Sequence, residues 1–356
     1  MSRTINMMSK AHTVKGQGVL SAYEEQVGLV KTHLDDIYDV RINKLKFADI
    51  RHYHTINPEF FLTLPFAKIK SSTVGYVHFL PETLDKSLKL PKVIRKIVYK
   101  YVIEFYKNMD YLVTVNPYFI DKLEEFGIDR NKITFIPNYV SAKRFFKLDK
   151  DFNNKTRKKY GIDKDKFVVL SVGQLQIRKG IMDFIEVAKK MPDVQFIWAG
   201  GFSFKQISDG YNKIKSILKN PPANVKFLDI IPREEMNELY NMADMLFLAS
   251  YEELFPMTVL EASNCKKPIL LRDVELYECI LDGYYLKAVD VDTFVQQINR
   301  LKNDKLYYNK ATLMSEKCAK YYSEENVVRM WKSYYNRIYK NSQKKTWRKR
   351  KYVQKA

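Results

Sequence analysis

Glu253 and Glu261 stand eight residues apart in the stretch SYEELFPMTVLEASN, residues 250–264, directly after the apolar run 245–249. Pro256 suits the first turn of a helix, which leaves Glu253 in the loop before that helix and puts Glu261 near its second turn. Backbone N–H groups at such a start, around Phe255, Met257 and Thr258, have no partner inside the helix, and with the helix dipole they bind phosphate. Two carboxylates flanking an anion site can accept hydrogen bonds from sugar hydroxyls. That combination suits a diphosphate held between two sugars. Taken alone, such a pair is more often a helix end in water.

A second stretch, VLSVGQLQIRKG at residues 169–180, reads as a strand, a turn at Gly173 and a helix opened by Arg178, Lys179 and Gly180. Together the two stretches resemble the retaining GT4 glycosyltransferases. Residues 169–180 are similar to the family's phosphate-binding loop, and residues 250–262 to its motif of two glutamates. The resemblance implies that Lys179 neutralises the donor diphosphate. Many members carry Arg directly after the first Gly, where this chain has Gln174, and Arg178 is placed to supply that charge instead. FIWAGG, residues 196–201, resembles the family's strand and turn near the donor. DIIPREE, residues 229–235, resembles the loop beside the nucleobase, where backbone groups do the reading and no side chain is assigned.

Near the N-terminus, Gly16 and Gly18 in VKGQGV resemble the family's Gly-rich loop, which lets backbone approach donor and acceptor closely. His78, in GYVHFLPET, resembles the histidine that lines the cleft near the reacting sugar. His52 and His54 end the neighbouring candidate strand, and at least one of them is expected to pack.

The chemistry implied by the resemblance is a retaining transfer in which the nucleotide diphosphate leaves and an acceptor hydroxyl attacks from the same face, with no protein nucleophile. Catalytic roles fall to Glu253, which positions the donor sugar, to His78 at the reacting region, and to Lys179, which with Arg178 stabilises charge on the leaving diphosphate. The donor-binding set is Gly16, Gly18, Gly173, Arg178, Lys179, Phe255, Pro256, Met257, Thr258 and Glu261, the last at the ribose. The donor is UDP-glucose or UDP-galactose, and no cofactor and no metal is expected.

Elements that would position these residues are legible as short apolar runs, each followed by a polar or Gly-containing loop and a helical pattern. This is the mark of βα units in a parallel sheet. Candidate strands are 4–8, 50–55, 73–79, 111–115 and 132–136, then 167–172, 195–199, 225–228, 245–249 and 268–271. Residues 147–166 are polar, without a core pattern, and read as a linker with a short helix. The fold class expected is α/β of the GT-B type, two Rossmann-like domains facing a central cleft, with ligands beyond the carboxyl ends of the strands. Residues 1–150 form the acceptor- and membrane-facing domain, 151–325 the nucleotide-sugar domain, and 326–356 a helix crossing back plus a basic tail.

Length and composition agree with two cores: 356 residues, 46% of them apolar. No run reaches the roughly 18 uncharged apolar residues of a spanning helix, and the first ten residues carry no export signal, so a cytoplasmic protein is expected. Cys265, Cys279 and Cys318 lack paired or metal-ligand spacing and read as reduced, buried thiols.

The 61 Lys and Arg against 41 Asp and Glu leave a net charge of +20, which favours an anionic partner. In the helical pattern 91–107, Val93, Ile94, Ile97, Val98, Tyr101, Val102 and Phe105 share one face, opposite Lys92, Arg95, Lys96, Lys100 and Lys107. Either this helix packs on its own sheet, or Lys92, Arg95, Lys96 and Lys100 lie over an anionic membrane surface, joined by the basic tail 340–356. The expected site of action is the cytoplasmic face of the membrane, as a peripheral protein. Nucleic acid is the rival partner, and no nucleic-acid-binding pattern accompanies the charge.

Within GT4, the stretches KGQGVLSAY, VHFLPET and VGQLQIRKG look most like Gram-positive enzymes that add a second glucose or galactose to monoglucosyldiacylglycerol, the anchor of lipoteichoic acid. The alternative within the family is a transferase for capsule or another surface polysaccharide on an undecaprenyl-linked acceptor. No Asp-X-Asp is expected at a strand end of the chain, so nothing obvious holds a divalent ion against the diphosphate. Sugar transfer is therefore expected to persist in EDTA; abolition by the chelator, with recovery on adding magnesium or manganese, overturns the metal-independent reading.

Overall fold

A computed structural model of the chain describes residues 3–13, 18–78, 80–81, 91–202 and 210–353, without the side chains of residues 13, 18, 19 and 344–353. Gly16 and the tail side chains from Lys344 onward lie outside the described residues. The apolar runs form two six-stranded sheets. In the first, β1 (Arg3–Met8), β2 (Tyr38–Ile42), β3 (Ile50–Tyr53), β4 (Ser72–Val77), β5 (Tyr111–Thr114) and β6 (Ile133–Phe135) pair in the order β2-β1-β3-β4-β5-β6. In the second, β7 (Val168–Val172), β8 (Gln195–Ala199), β9 (Val225–Phe227), β10 (Met245–Leu248), β11 (Ile269–Arg272) and β12 (Leu286–Ala288) pair in the order β12-β11-β10-β7-β8-β9. All pairings are parallel. Central strands such as β4 and β10 are buried at every residue, as sheets covered on both faces require.

Strand order reverses between β1 and β3 in the first sheet and between β7 and β10 in the second, the crevices where such sheets take ligands. The two sequence stretches with candidate chemistry follow β7 and β10. They are therefore neighbours across a switch point.

Four sequence expectations need correction. Edge strands β2 and β12 were not recognised: β2, YDVRI, carries the apolar–polar alternation of a half-buried strand that the sequence reading passed over, and β12 is three residues long with Lys287 exposed. Directly after β12 stands Asp290-Val291-Asp292, an Asp-X-Asp at a strand end that the sequence reading passed over. Asp290 caps the helix Val291–Asn303, its Oδ1 accepting from the Thr293 N–H at 2.8 Å, and Asp292 pairs with Lys190 at 2.5 Å. The segment 147–166 is docked: in its helix Lys150–Lys159, buried Arg157 donates to the carbonyls of Met242 at 2.8 Å and Lys164 at 2.8 Å and pairs with Asp244 at 3.0 Å. Cys265 and Cys318 are buried, but Cys279 is exposed.

The final helix, Glu324–Val353, returns to the first sheet and packs on the helix Gly18–His33 and on β4. Val327, Trp331, Tyr335 and Ile338 are its buried stripe, at helical spacing. Tyr335 Oη accepts from Gln26 Nε2 at 2.8 Å, and Asn336 Oδ1 accepts from Tyr38 Oη at 2.9 Å and Arg3 Nη1 at 2.6 Å. One apolar cluster joins the two sheets, with Ala22, Tyr23 and Tyr139 on one side and Met236, Tyr240 and Met257 on the other. Among the described residues no helix is long and apolar enough to cross a membrane.

Candidate active site

The loop after β7 crosses the loop after β10 at Gly180. This glycine has φ +75°, and a Cβ there would lie 2.2 Å from the Ala249 carbonyl oxygen, so only a residue without a side chain allows the crossing. The Tyr251 N–H donates to the Arg178 carbonyl at 2.9 Å and fastens the two loops. Lys179 and Glu253 meet as a result: Lys179 Nζ donates to Glu253 Oε1, which also accepts from Ser250 Oγ at 3.0 Å. Arg178 Nη1 reaches the Glu252 carbonyl at 3.5 Å, while its Nε is buried without a hydrogen-bond partner.

Burial works against both charges of this pair. It would raise the Glu253 carboxyl, but the charges of Lys179 and Arg178, with the hydrogen bonds from Lys179 and Ser250, hold it below its ordinary value. Burial lowers Lys179, and Glu253 opposes that shift. The arrangement favours an ionised carboxylate beside two cations.

Around this pair, glycines let other loops close in. Gly200, φ +136°, would place a Cβ 2.0 Å from the Gly173 carbonyl, which itself accepts from Trp198 Nε1 at 3.0 Å. Gly173 sits at the end of β7, its N–H bonded to the Ala199 carbonyl at 3.0 Å. Pro256 is the N-cap of the helix Met257–Asn264. Phe255 and Met257 turn their side chains into the core, Phe255 edge-on to Tyr322, so a ligand there meets their backbone and half-buried Thr258.

Glu261 occupies a different setting from Glu253. It is buried, accepting from Tyr240 Oη at 2.6 Å and from Arg233 Nη1 at 3.1 Å. Burial raises its carboxyl, in part offset by Arg233 and Tyr240. Arg233 in turn bridges to the other sheet, donating to Glu25 at 2.8 Å and Ser21 at 2.8 Å on the helix Gly18–His33. Sequence reasoning assigned no side chain in residues 229–235 and missed Arg233. Its signal was a basic residue in a loop otherwise read as backbone only. Gln176 was missed as well: it is 2% exposed in the β7 loop, and neither amide atom has a partner.

In the first unit, Gly18 opens the helix Gly18–His33, and His78 lies just past β4 in a stack of buried rings. Tyr76 stacks on His78 with centroids 4.2 Å apart, and His52 lies 4.2 Å from His54. His52 Nδ1 meets Tyr335 Oη at 2.8 Å and buried His54 stacks on Tyr76 at 5.2 Å, so both histidines pack. Both ring nitrogens of His54, and Nε2 of His78, are buried without partners. Among the described residues, no three His, Cys, Asp or Glu side chains are grouped to hold a metal ion.

The helix Lys92–Lys107 divides along its length. Its C-terminal half buries Val102, Phe105 and Tyr106, whereas Val93 and Ile97 in its first half are 71% and 64% exposed. Lys92, Lys96 and Lys100 are exposed and Arg95 half-buried. On the adjoining helix, Pro58–Lys70, Leu62, Phe66 and Ile69 form a second exposed stripe. Phe61 meets Tyr101 edge-on at 5.5 Å between the two helices.

Comparison with known proteins agrees with this geometry. Residues 152–321 match the family described as Glycosyl transferases group 1, and residues 40–144 match Glycosyltransferase Family 4. The chain is 41% identical to alpha-galactosylglucosyldiacylglycerol synthase of Streptococcus pneumoniae over 333 residues, 94% of this chain and 89% of that protein. It is 29% identical over 208 residues to the processive diacylglycerol alpha-glucosyltransferase of Acholeplasma laidlawii, 58% of this chain and 61% of that protein. Among solved structures, sucrose-phosphate synthase from Thermosynechococcus elongatus superposes with a TM-score of 0.78 at 14% identity, covering 95% of this chain and 100% of that one. These structures share the GT-B fold.

The histidine stack makes a prediction about stability. Burial lowers His52 to about 3, with the His78 charge adding to it, lowers His78 to about 3, and holds His54 well below its usual value. The folded state keeps the three rings neutral, while the unfolded chain protonates them near pH ~6.5. Stability from this source is therefore complete above that pH and is lost as pH falls toward 3, at up to about 1.4 kcal/mol per pH unit for each ring. Urea unfolding between pH 7 and 5 should show the decline, and His54→Gln should flatten its slope; an unchanged slope refutes the assignment.

Proposed function

This chain belongs to the GT4 glycosyltransferases, and from that premise we propose that it moves glucose or galactose from a UDP-sugar, with retention, to the sugar of a glucosyl-diacylglycerol. The observation that carries this reading is the Lys179–Glu253 pair at the β7/β10 switch point, in a chain similar throughout its length to a glycolipid synthase. Residues 151–325 take the nucleotide sugar, residues 1–150 face acceptor and membrane, and residues 326–356 tie the second part back to the first.

The chemistry follows from the charges. Lys179 and Arg178 draw the diphosphate to the loop after β7, beside the N-terminus of Met257–Asn264 with Pro256 and Thr258. Lys179 and Glu253 are hydrogen-bonded, so a diphosphate on the lysine brings its sugar against the carboxylate. As the glycosidic bond breaks, negative charge grows on the leaving diphosphate and the two cations stabilise it. The incoming hydroxyl attacks from the face the diphosphate leaves, and its proton goes out with that leaving group. Glu261 holds the ribose, Gly173 gives the nucleotide room, and His78 borders the reacting sugar together with the start of the helix Gly18–His33.

HepE of Anabaena, whose structure with UDP-glucose superposes at a TM-score of 0.74 with 14% identity, supports a nucleotide-sugar donor. An acceptor with a diacylglycerol tail reaches the enzyme from a bilayer, and the protein meets it as a peripheral protein on the cytoplasmic face. Exposed Val93, Ile94 and Ile97 beside Lys92, Arg95, Lys96 and Lys100 suit an anionic surface, and the Leu62, Phe66 and Ile69 stripe extends the apolar area. Nucleic acid has no part in this reading.

Purified protein given UDP-glucose or UDP-galactose and glucosyl-diacylglycerol should form a dihexosyl lipid by mass spectrometry; transfer only to an undecaprenyl-linked acceptor overturns the acceptor assignment. Lys179→Ala and Glu253→Ala should each lower turnover at least about 100-fold with the fold intact by circular dichroism, since each acts where charge develops. Near-normal turnover in either variant refutes the site. In vesicle flotation, binding should rise with anionic lipid, fall with salt, and weaken both in the quadruple change of Lys92, Arg95, Lys96 and Lys100 to Glu and in Ile97→Ser. Equal binding to neutral and anionic vesicles removes the membrane part of the proposal.

A further inference from the structure

Asn116 stands at the carboxyl end of β5, in the first unit, and is fully buried. Its Nδ2 donates to two carbonyls of the other unit, Leu254 at 3.1 Å and Leu276 at 2.8 Å. Its Oδ1 accepts from the Tyr118 N–H at 3.0 Å, which fixes the orientation of the amide: oxygen toward its own chain, both N–H groups across the interface. The side chains of Leu254 and Leu276 go with their carbonyls and pack against the core of the first unit.

Leu254 directly follows Glu253, and Leu276 belongs to the loop after β11. One amide thus ties two loops of the nucleotide-sugar unit to the end of a strand in the acceptor unit. Asparagine suits this place by its chemistry. Aspartate has no N–H and would set a charge against two carbonyls, serine offers one donor, and alanine none.

We propose that Asn116 is a positioning residue for Glu253, holding its loop from the opposite unit so that the carboxylate reaches the donor sugar only when the two units are seated together. The proposal rests on the reading of Glu253 as the carboxylate that meets the sugar. Of the residues expected to bind the donor, Arg178, Lys179 and Glu261 make no hydrogen bond with Asn116 among those above, and Pro256 to Thr258, which follow Leu254, belong to the start of the helix Met257–Asn264, whose far end is tied separately through Asn264. Loss of the clamp should therefore act mainly on the chemical step, with a smaller effect on nucleotide affinity.

The test measures kcat, donor KM and UDP affinity by calorimetry in the full-length protein. Asn116→Ala should lower kcat by about 10- to 100-fold, the scale of a carboxylate displaced by about 1 Å, with donor KM and UDP affinity within about threefold. Asn116→Asp should lose as much or more, and Asn116→Ser, which keeps one donor and the fold, should fall between it and the parent. Asn264→Ala removes a different hydrogen bond across the interface, from Nδ2 to the Val140 carbonyl at 3.1 Å, and controls for mere loosening of the joint. Its kcat should stay within about twofold. Equal losses in Asn116→Ala and Asn264→Ala, parallel losses of UDP affinity and kcat, or unimpaired kcat in Asn116→Asp each overturn the inference. Glu253→Gln is measured beside them. Should it leave kcat intact, the reading of Glu253 fails and takes this inference with it; should it lower kcat while Asn116→Ala does not, the clamp alone fails.

Discussion

Everything at the candidate site depends on how closely the backbone after β7 passes the end of β10. At Gly180 the chains are separated by less than the width of a methyl group, and the Ala249 carbonyl that blocks a Cβ there also accepts from Arg272 Nε at 3.1 Å. Arg272 is itself braced, paired with Asp183 and lying 4.1 Å over the Tyr251 ring. This knot leaves the Lys179 and Glu253 side chains little choice but to meet. An ion pair between partly buried groups gains little net stability once desolvation is counted, so its value lies in geometry. It presents a cation and a carboxylate together where the strand order reverses.

The joint between the units is more than an apolar seam. Arg233 connects Glu261 to Glu25, and Arg144 pairs with the same Glu25 at 3.0 Å, so the carboxylate expected at the ribose is part of a charged chain running into the helix Gly18–His33. Asn116 does the corresponding work for the loop of Glu253. Each of the two glutamates is thereby linked to the first unit by polar groups, whose directionality an apolar contact lacks.

The outer surface of the first unit carries a different constraint. A helix packed wholly on a core buries its apolar stripe, as the final helix does over Val327, Trp331, Tyr335 and Ile338. Lys92–Lys107 does so only over its last turns, and its first turns show apolar side chains beside long cationic ones. Apolar surface of this kind, next to flexible cationic chains whose stems can lie along it, suits a boundary between hydrocarbon and anionic headgroups.

Much of this protein could be read from residue order because its signals are local. The apolar runs, the glycines at strand ends, Pro256 before a helix and the spacing of Glu253 and Glu261 all act within a few residues of themselves, and they yielded the α/β class, ten of the strands and the two loops in which Lys179 and Glu253 lie. Of the edge strands, β2 was missed although YDVRI alternates apolar and polar residues, and β12, with Lys287 exposed at its centre, was missed although the equally short β6 and β9 were read; with β12 went the Asp-X-Asp that follows it. Only the tertiary structure decided which partners the charges take. That Lys179 rests on Glu253, that Glu261 is held by Arg233 and Tyr240, and that Asn116 spans 138 residues to reach Leu254 depend on contacts between distant segments. The first two pairings join neighbouring strand ends and helices of the second sheet and the last joins the two units, and no local pattern of hydrophobicity or charge records them.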